Sequence, residues 1–153
     1  MHVSNVEELI PVLQTAIGPV ILISGIGLLL LTMTNRLGRV IDRARMLSAE
    51  LLTADGPARA RIDPQLDLLW SRAREIRLAI SLAAISALCA ALLVIILFVT
   101  ALLSAGSAWL VAGLFAACMA SLIASLVVFL HDLNQSLAAL KLELAGARSS
   151  ARK

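Results

Sequence analysis

Three stretches of the chain, 11–33, 78–103 and 108–130, carry no ionisable side chain, and apolar and charged positions alternate regularly between the first two. A hydrocarbon core of about 30 Å takes roughly 20 helical residues to cross. Each stretch is therefore long enough to span a bilayer, and the second has enough length to tilt or project beyond it. Only Ser104, Ala105, Gly106 and Ser107 separate the second and third stretches, so these two spans are expected to form an antiparallel hairpin.

Beyond the first span, Leu37, Val40, Ala44, Leu47 and Leu51 follow the three-four spacing of a helical seam. Leu66, Leu69, Ala73, Ile76 and Ile80 repeat it on the way back to the second span, with the turn formers Ala54, Asp55, Gly56 and Pro57 between the runs. The pattern predicts an antiparallel coiled-coil hairpin, each arm continuous with its span. Asp63-Pro64 offers a second helix start. Two heptads per arm are short, so support from neighbouring subunits is expected. Ser4-Asn5-Val6-Glu7 has the form of a capping box that would open the first helix, and Gly18-Pro19 is expected to bend or interrupt it. Leu133, Leu137, Leu140 and Leu144 share a face after the third span, predicting an amphipathic helix that frays at Gly146.

The expected architecture is an all-α polytopic membrane protein in four stretches. Residues 1–34 form an outer N-terminal helix and the first span, and 35–77 a cytosolic arginine-rich hairpin. Residues 78–130 form the second and third spans, and 131–153 a cytosolic amphipathic helix with a basic tail. Composition agrees, with 60% hydrophobic and 15% charged residues against about 45–50% and about 25% in soluble domains. That apolar excess argues against a water-soluble enzyme, because a small globule keeps much of its surface in water. Two cysteines and two histidines are too few for a disulfide framework or a zinc cluster, so no metal and no cofactor are expected.

Charge sets the expected orientation. Nine of the thirteen basic residues lie between Asn35 and Arg77 and the other four after Leu140, whereas the first ten residues hold Glu7 and Glu8 and no Lys or Arg. The positive-inside rule then places the N-terminus outside and the hairpin and C-terminus in the cytosol, with Trp109 at the outer interface. The basic residues follow the first apolar run instead of preceding it, which reads as a retained anchor and not a cleaved signal peptide. Six acidic residues interleave with the hairpin arginines. Contact with anionic headgroups, through residues such as Arg39, Arg74 and Arg77, explains the basic balance more simply than nucleic acid, which is not expected as a partner.

On a helical wheel, Glu7, Gln14, Gly18, Gly25, Thr32, Arg36 and Arg43 fall within about 40° of one another. In an oligomer this line would face a pore, with Glu7 at the outer mouth, Thr32 and Arg36 at the inner, and Leu22 or Leu29 as a constriction that gates by dewetting. The plainer reading is that small residues permit close helix packing. Ala83, Ala87 and Ala91 recur every four residues in the second span, as do Gly113, Ala117, Ser121 and Ser125 in the third. Ala116, Ala120 and Ala124 add a parallel line, more than one hairpin partner needs, which points to a homo-oligomer.

Cys89 and Cys118 read as small hydrophobes within their spans. His131-Asp132 reads as the end of the third span, with pH sensing as the alternative. Trp70 would dock a neighbour or cover the hairpin seam. No phosphate loop, metalloprotease motif or nucleophile–base pair is present. No span holds the charges that mark proton relays and coupled transport, and transporters show paired repeats and more helices. Catalysis is not expected.

Pro19, the apolar run after it and the block Asn35-Arg36-Leu37-Gly38-Arg39-Val40-Ile41-Asp42-Arg43-Ala44-Arg45-Met46-Leu47 resemble a bacterial family of small membrane proteins classified as a domain of unknown function. The stretch Arg74-Glu75-Ile76-Arg77-Leu78-Ala79-Ile80 fits that family's second span, and the similarity covers most of residues 5–135. The resemblance implies three helices and a cytoplasmic-membrane location, and supplies no activity. The residues favour a homo-oligomeric passive ion channel lined by the first span. The alternative is a non-conducting scaffold or regulator whose hairpin binds a protein or anionic lipid.

Overall fold

The computed structural model describes the backbone of residues 6–103 and 108–150, with side chains described over most of 10–136. The chain is three helices, α1 (Val6–Thr53), α2 (Gly56–Leu103) and α3 (Ala108–Ser150). All three are long and apolar enough to cross a membrane. The 48 residues each of α1 and α2 extend about 70 Å at 1.5 Å per residue. That is more than twice the hydrocarbon thickness, so the half bearing the nine arginines projects out of it. Here that projecting part, 36–77, is called the arm.

α2 is the middle element, packed against α1 on one side and α3 on the other. One seam holds α1 to α2 along both span and arm. Ile26, Met33 and Leu47 are buried and Val40 half-buried at intervals of seven, and on α2 Ile62, Ile76, Ala79, Ala83, Ser86, Ala90 and Leu93 are buried. All ten positions of the three-four pattern, from Leu37 to Ile80, are shielded: Leu47 and Ile76 are buried and the other eight half-buried. Among the described residues no side-chain hydrogen bond joins α1 to α2, so apolar packing alone carries that contact. The apolar windows of the three helices are only 17%, 22% and 11% buried. The remaining apolar surface needs lipid or another subunit to cover it.

Three local expectations are corrected. α2 begins at Gly56 and passes through Pro64, so Asp63-Pro64 is not a second start. Asp55 caps the helix, its carbonyl accepting the Arg59 amide at 2.9 Å, and Pro57 already occupies the first turn, where a missing N–H costs nothing. At Pro64 the lost bond frees only the carbonyl of Ala60, which is exposed and open to water. α1 likewise continues through Pro11 and Pro19, so Gly18-Pro19 does not interrupt it. α3 runs through Gly146 to Ser150. A single glycine lowers helix propensity by about 1 kcal/mol without stopping the helix. Ser4, Asn5 and the 104–107 connection lie outside the described residues.

Candidate functional site: an ionic clamp where the arm meets the spans

The spans α2 and α3 are joined by hydroxyl and thiol groups that donate to backbone carbonyls of the opposite helix. Ser125 Oγ donates to Ala79 O at 2.7 Å, Ser121 Oγ to Leu82 O at 2.8 Å and Ser86 Oγ to Cys118 O at 2.9 Å. Cys118 Sγ returns a bond to Ser86 O at 3.2 Å. A hydroxyl in hydrocarbon must find an acceptor, and a small side chain lets the two backbones approach closely enough to supply one. Cys118 thus bonds across the interface as well as filling it.

The buried face of α3 repeats every seven residues, at Cys118, Ser125 and Asp132. Asp132 is the one charged member. Its Oδ2 accepts from Arg36 Nε at 2.8 Å, with side-chain exposures of 1% for the acid and 22% for the arginine. Arg36 also donates from a terminal nitrogen to Ser136 Oγ at 2.7 Å, and Ser136 donates to Asp132 O at 2.9 Å. The guanidinium lies 5.9 Å from the centre of the Phe129 ring, within cation–π range. Among the described residues these are the only hydrogen bonds between α1 and α3. The clamp therefore closes the bundle at the base of the arm. Beside it, exposed His131 has Nδ1 3.5 Å from Glu75 Oε2 on α2 and 3.2 Å from Gln135 Nε2.

The polar line on α1 is not gathered into any site within one chain. Gln14, Gly18, Gly25 and Thr32 are exposed and Leu22 and Leu29 half-buried, while the Glu7 side chain lies outside those described. A Cβ built at Gly18 or Gly25 meets nothing within 4 Å, so neither glycine serves contact inside the protomer. Thr32 Oγ1 donates to Leu28 O of its own helix at 3.0 Å. Arg36 leaves the line for the clamp, while Arg43 stays exposed.

Of the small residues expected to pack α2 on α3, Ala83 and Ser125 are buried, Ala87, Ala91 and Ser121 half-buried, and Gly113 and Ala117 exposed. A four-residue repeat drifts around the helix by about 40° per step, whereas a seven-residue repeat nearly stays in place. That is why the buried line leaves the small-residue line at its ends. Arg74 and Arg77 face away from Arg39. They line an apolar groove of about 620 Å³ with Leu37, Val40, Ala44 and Trp70, while Arg39 faces the clamp side.

Sequence reasoning missed Asp132 as the partner of Arg36. The available signal was its seven-residue spacing from Cys118 and Ser125, which placed a carboxylate on the small, inward face. Among the described residues no cluster of His, Cys, Asp and Glu is suited to a metal. Searches of curated proteins and of solved structures returned no match. The profile of a family described as "Protein of unknown function (DUF2721)" matches residues 16–142, a region holding most of the first span, the whole of the other two, the arm and the clamp. The chain belongs to that family.

Proposed function

We propose that the protein is a non-conducting, homo-oligomeric scaffold or regulator of the bacterial inner membrane, its N-terminus outside and its arm presented to the cytosol. The observation that carries this reading is the clamp. Arg36, the cation placed best for an inner pore mouth, is tied to Asp132 and Ser136 and braces the arm against α3. The excess of arginine in the arm supports the orientation through the positive-inside rule. Exposed Met46, Leu52, Leu68 and Trp70 on the arm support docking, because apolar surface outside lipid marks an interaction site.

A channel lined by α1 is the second reading, favoured by the shared exposure of Gln14, Gly18, Gly25 and Thr32. Flux from proteoliposomes separates the two. Potassium and chloride release from vesicles holding the wild-type protein is expected to match protein-free vesicles. A current whose selectivity changes in Thr32→Asp overturns the scaffold reading. Assembly has its own test. Gly25 is exposed and a Cβ added there meets no neighbouring helix within 4 Å, so in Gly25→Leu the protomer should fold while the subunit number in detergent falls. An unchanged subunit number by light scattering removes the α1 line from the oligomer contact.

A further inference from the structure

Four arginines line one recess at the base of the arm. Arg36, Arg39 and Arg43 stand at three-four spacing on one face of α1, Arg72 comes from α2, and Asp132 and Ser136 come from α3. Val40 and Leu69 supply apolar wall, and the recess, open to one side, has a volume of about 310 Å³. Its charges do not balance. Asp132 is the only carboxylate among the lining residues; its Oδ2 accepts from Arg36, and its buried Oδ1 has no hydrogen-bond partner. Arg72 Nε is shielded from solvent and has no hydrogen-bond partner. A buried donor on a cation is costly to leave unpaired, and one carboxylate against four arginines leaves an excess of positive charge that the lining residues do not balance.

We propose that the recess binds a phosphate group, either the headgroup of an anionic phospholipid or a soluble phosphate ester. Arginine suits this chemistry because its planar fork of N–H groups matches two phosphate oxygens at once. The depth fits as well. Arg36 is the first charged residue after the first span and stands three residues past Met33, about 4.5 Å along the helix axis and at the level where lipid phosphates lie. The site gives a ligand to the arm and so rests on the scaffold reading. It differs from the headgroup set expected from sequence, since Arg39 joins Arg36, Arg43 and Arg72 while Arg74 and Arg77 line the other face.

The test uses the full chain in phosphatidylcholine nanodiscs. One arm adds phosphatidylglycerol or phosphatidic acid in rising fractions, the other inorganic pyrophosphate in solution, and both read the thermal midpoint and bound ligand by native mass spectrometry. Saturable binding is expected, weakened about tenfold or more by Arg72→Gln and by Arg39→Gln, as for loss of a charged hydrogen bond. Arg61→Gln, on an exposed residue of the arm outside the recess, should change it less than twofold. Binding in the lipid arm alone identifies a headgroup, and binding in the pyrophosphate arm alone a soluble ester. The proposal is overturned if neither probe saturates, or if Arg61→Gln weakens binding as much as Arg39→Gln, the signature of diffuse surface charge. Arg39 is exposed, so its variant gives the answer even if Arg72→Gln folds poorly. Flux is a separate readout: conduction together with phosphate binding would end the scaffold reading and leave the recess intact.

Discussion

Asp132→Ala should destabilise the folded chain by about 3–5 kcal/mol, the range for removing one partner of a buried ion pair. The carboxylate is 1% exposed and its arginine 22%, so the alanine variant leaves a largely dehydrated guanidinium with Ser136 and the Phe129 ring for company. Because Arg36 keeps some access to water, the loss should fall toward the lower end. A double variant, Arg36→Met with Asp132→Leu, should be less damaging than Asp132→Ala alone, since it removes the cost of dehydrating both charges. Thermal melts in one detergent compare the three proteins. A midpoint for Asp132→Ala equal to wild type would mean that the clamp does not hold α1 to α3.

Ala83→Leu should have the next largest effect. Ala83 is fully buried, flanked along α2 by Ala79 and Leu82, whose carbonyls accept from Ser125 and Ser121. Overpacking a tight interface costs about 1–3 kcal/mol. Pushing α3 outward also stretches both serine bonds, each worth about 0.6 kcal/mol in membrane helices. Hydroxyl-to-carbonyl bonding falls off steeply with distance, so even a small separation loses them together. Disulfide crosslinking between cysteines introduced across α2 and α3 measures the effect. A crosslinking yield unchanged by Ala83→Leu would contradict close backbone approach at this point.

The sequence made the spans and the arm seam legible because each is a local periodic signal. Leu37 to Leu51 and Leu66 to Ile80 turn inward as their spacing requires, and α1 and α2 meet at a turn of two residues, Ala54 and Asp55. The α2–α3 line was half legible. A repeat of four picked out Ala83 and Ser125 correctly and then drifted to Gly113 and Ala117, which remain exposed. The clamp was not legible, because Arg36 and Asp132 stand 96 positions apart: Arg36 read as part of a pore-lining stripe and Asp132 as the end of the third span. The arginine recess was hidden for the same reason: Arg72 joins Arg36, Arg39 and Arg43 only once the arm folds back. Prolines misled where their missing N–H costs little, as at Pro64.

The unbroken course of α1 from Val6 to Thr53 has a mechanical consequence. With no break in the helix between the span and its tip, and a bolt of opposite charges at the fulcrum, the arm would tilt as a stiff lever together with the α2 stretch packed on it. The roughly 25 Å between Arg36 and Thr53 would convert a tilt of about 10°, well within the range of membrane helices, into about 4 Å of sideways travel at the tip. Changes in bilayer thickness would therefore register at Leu52 as displacement.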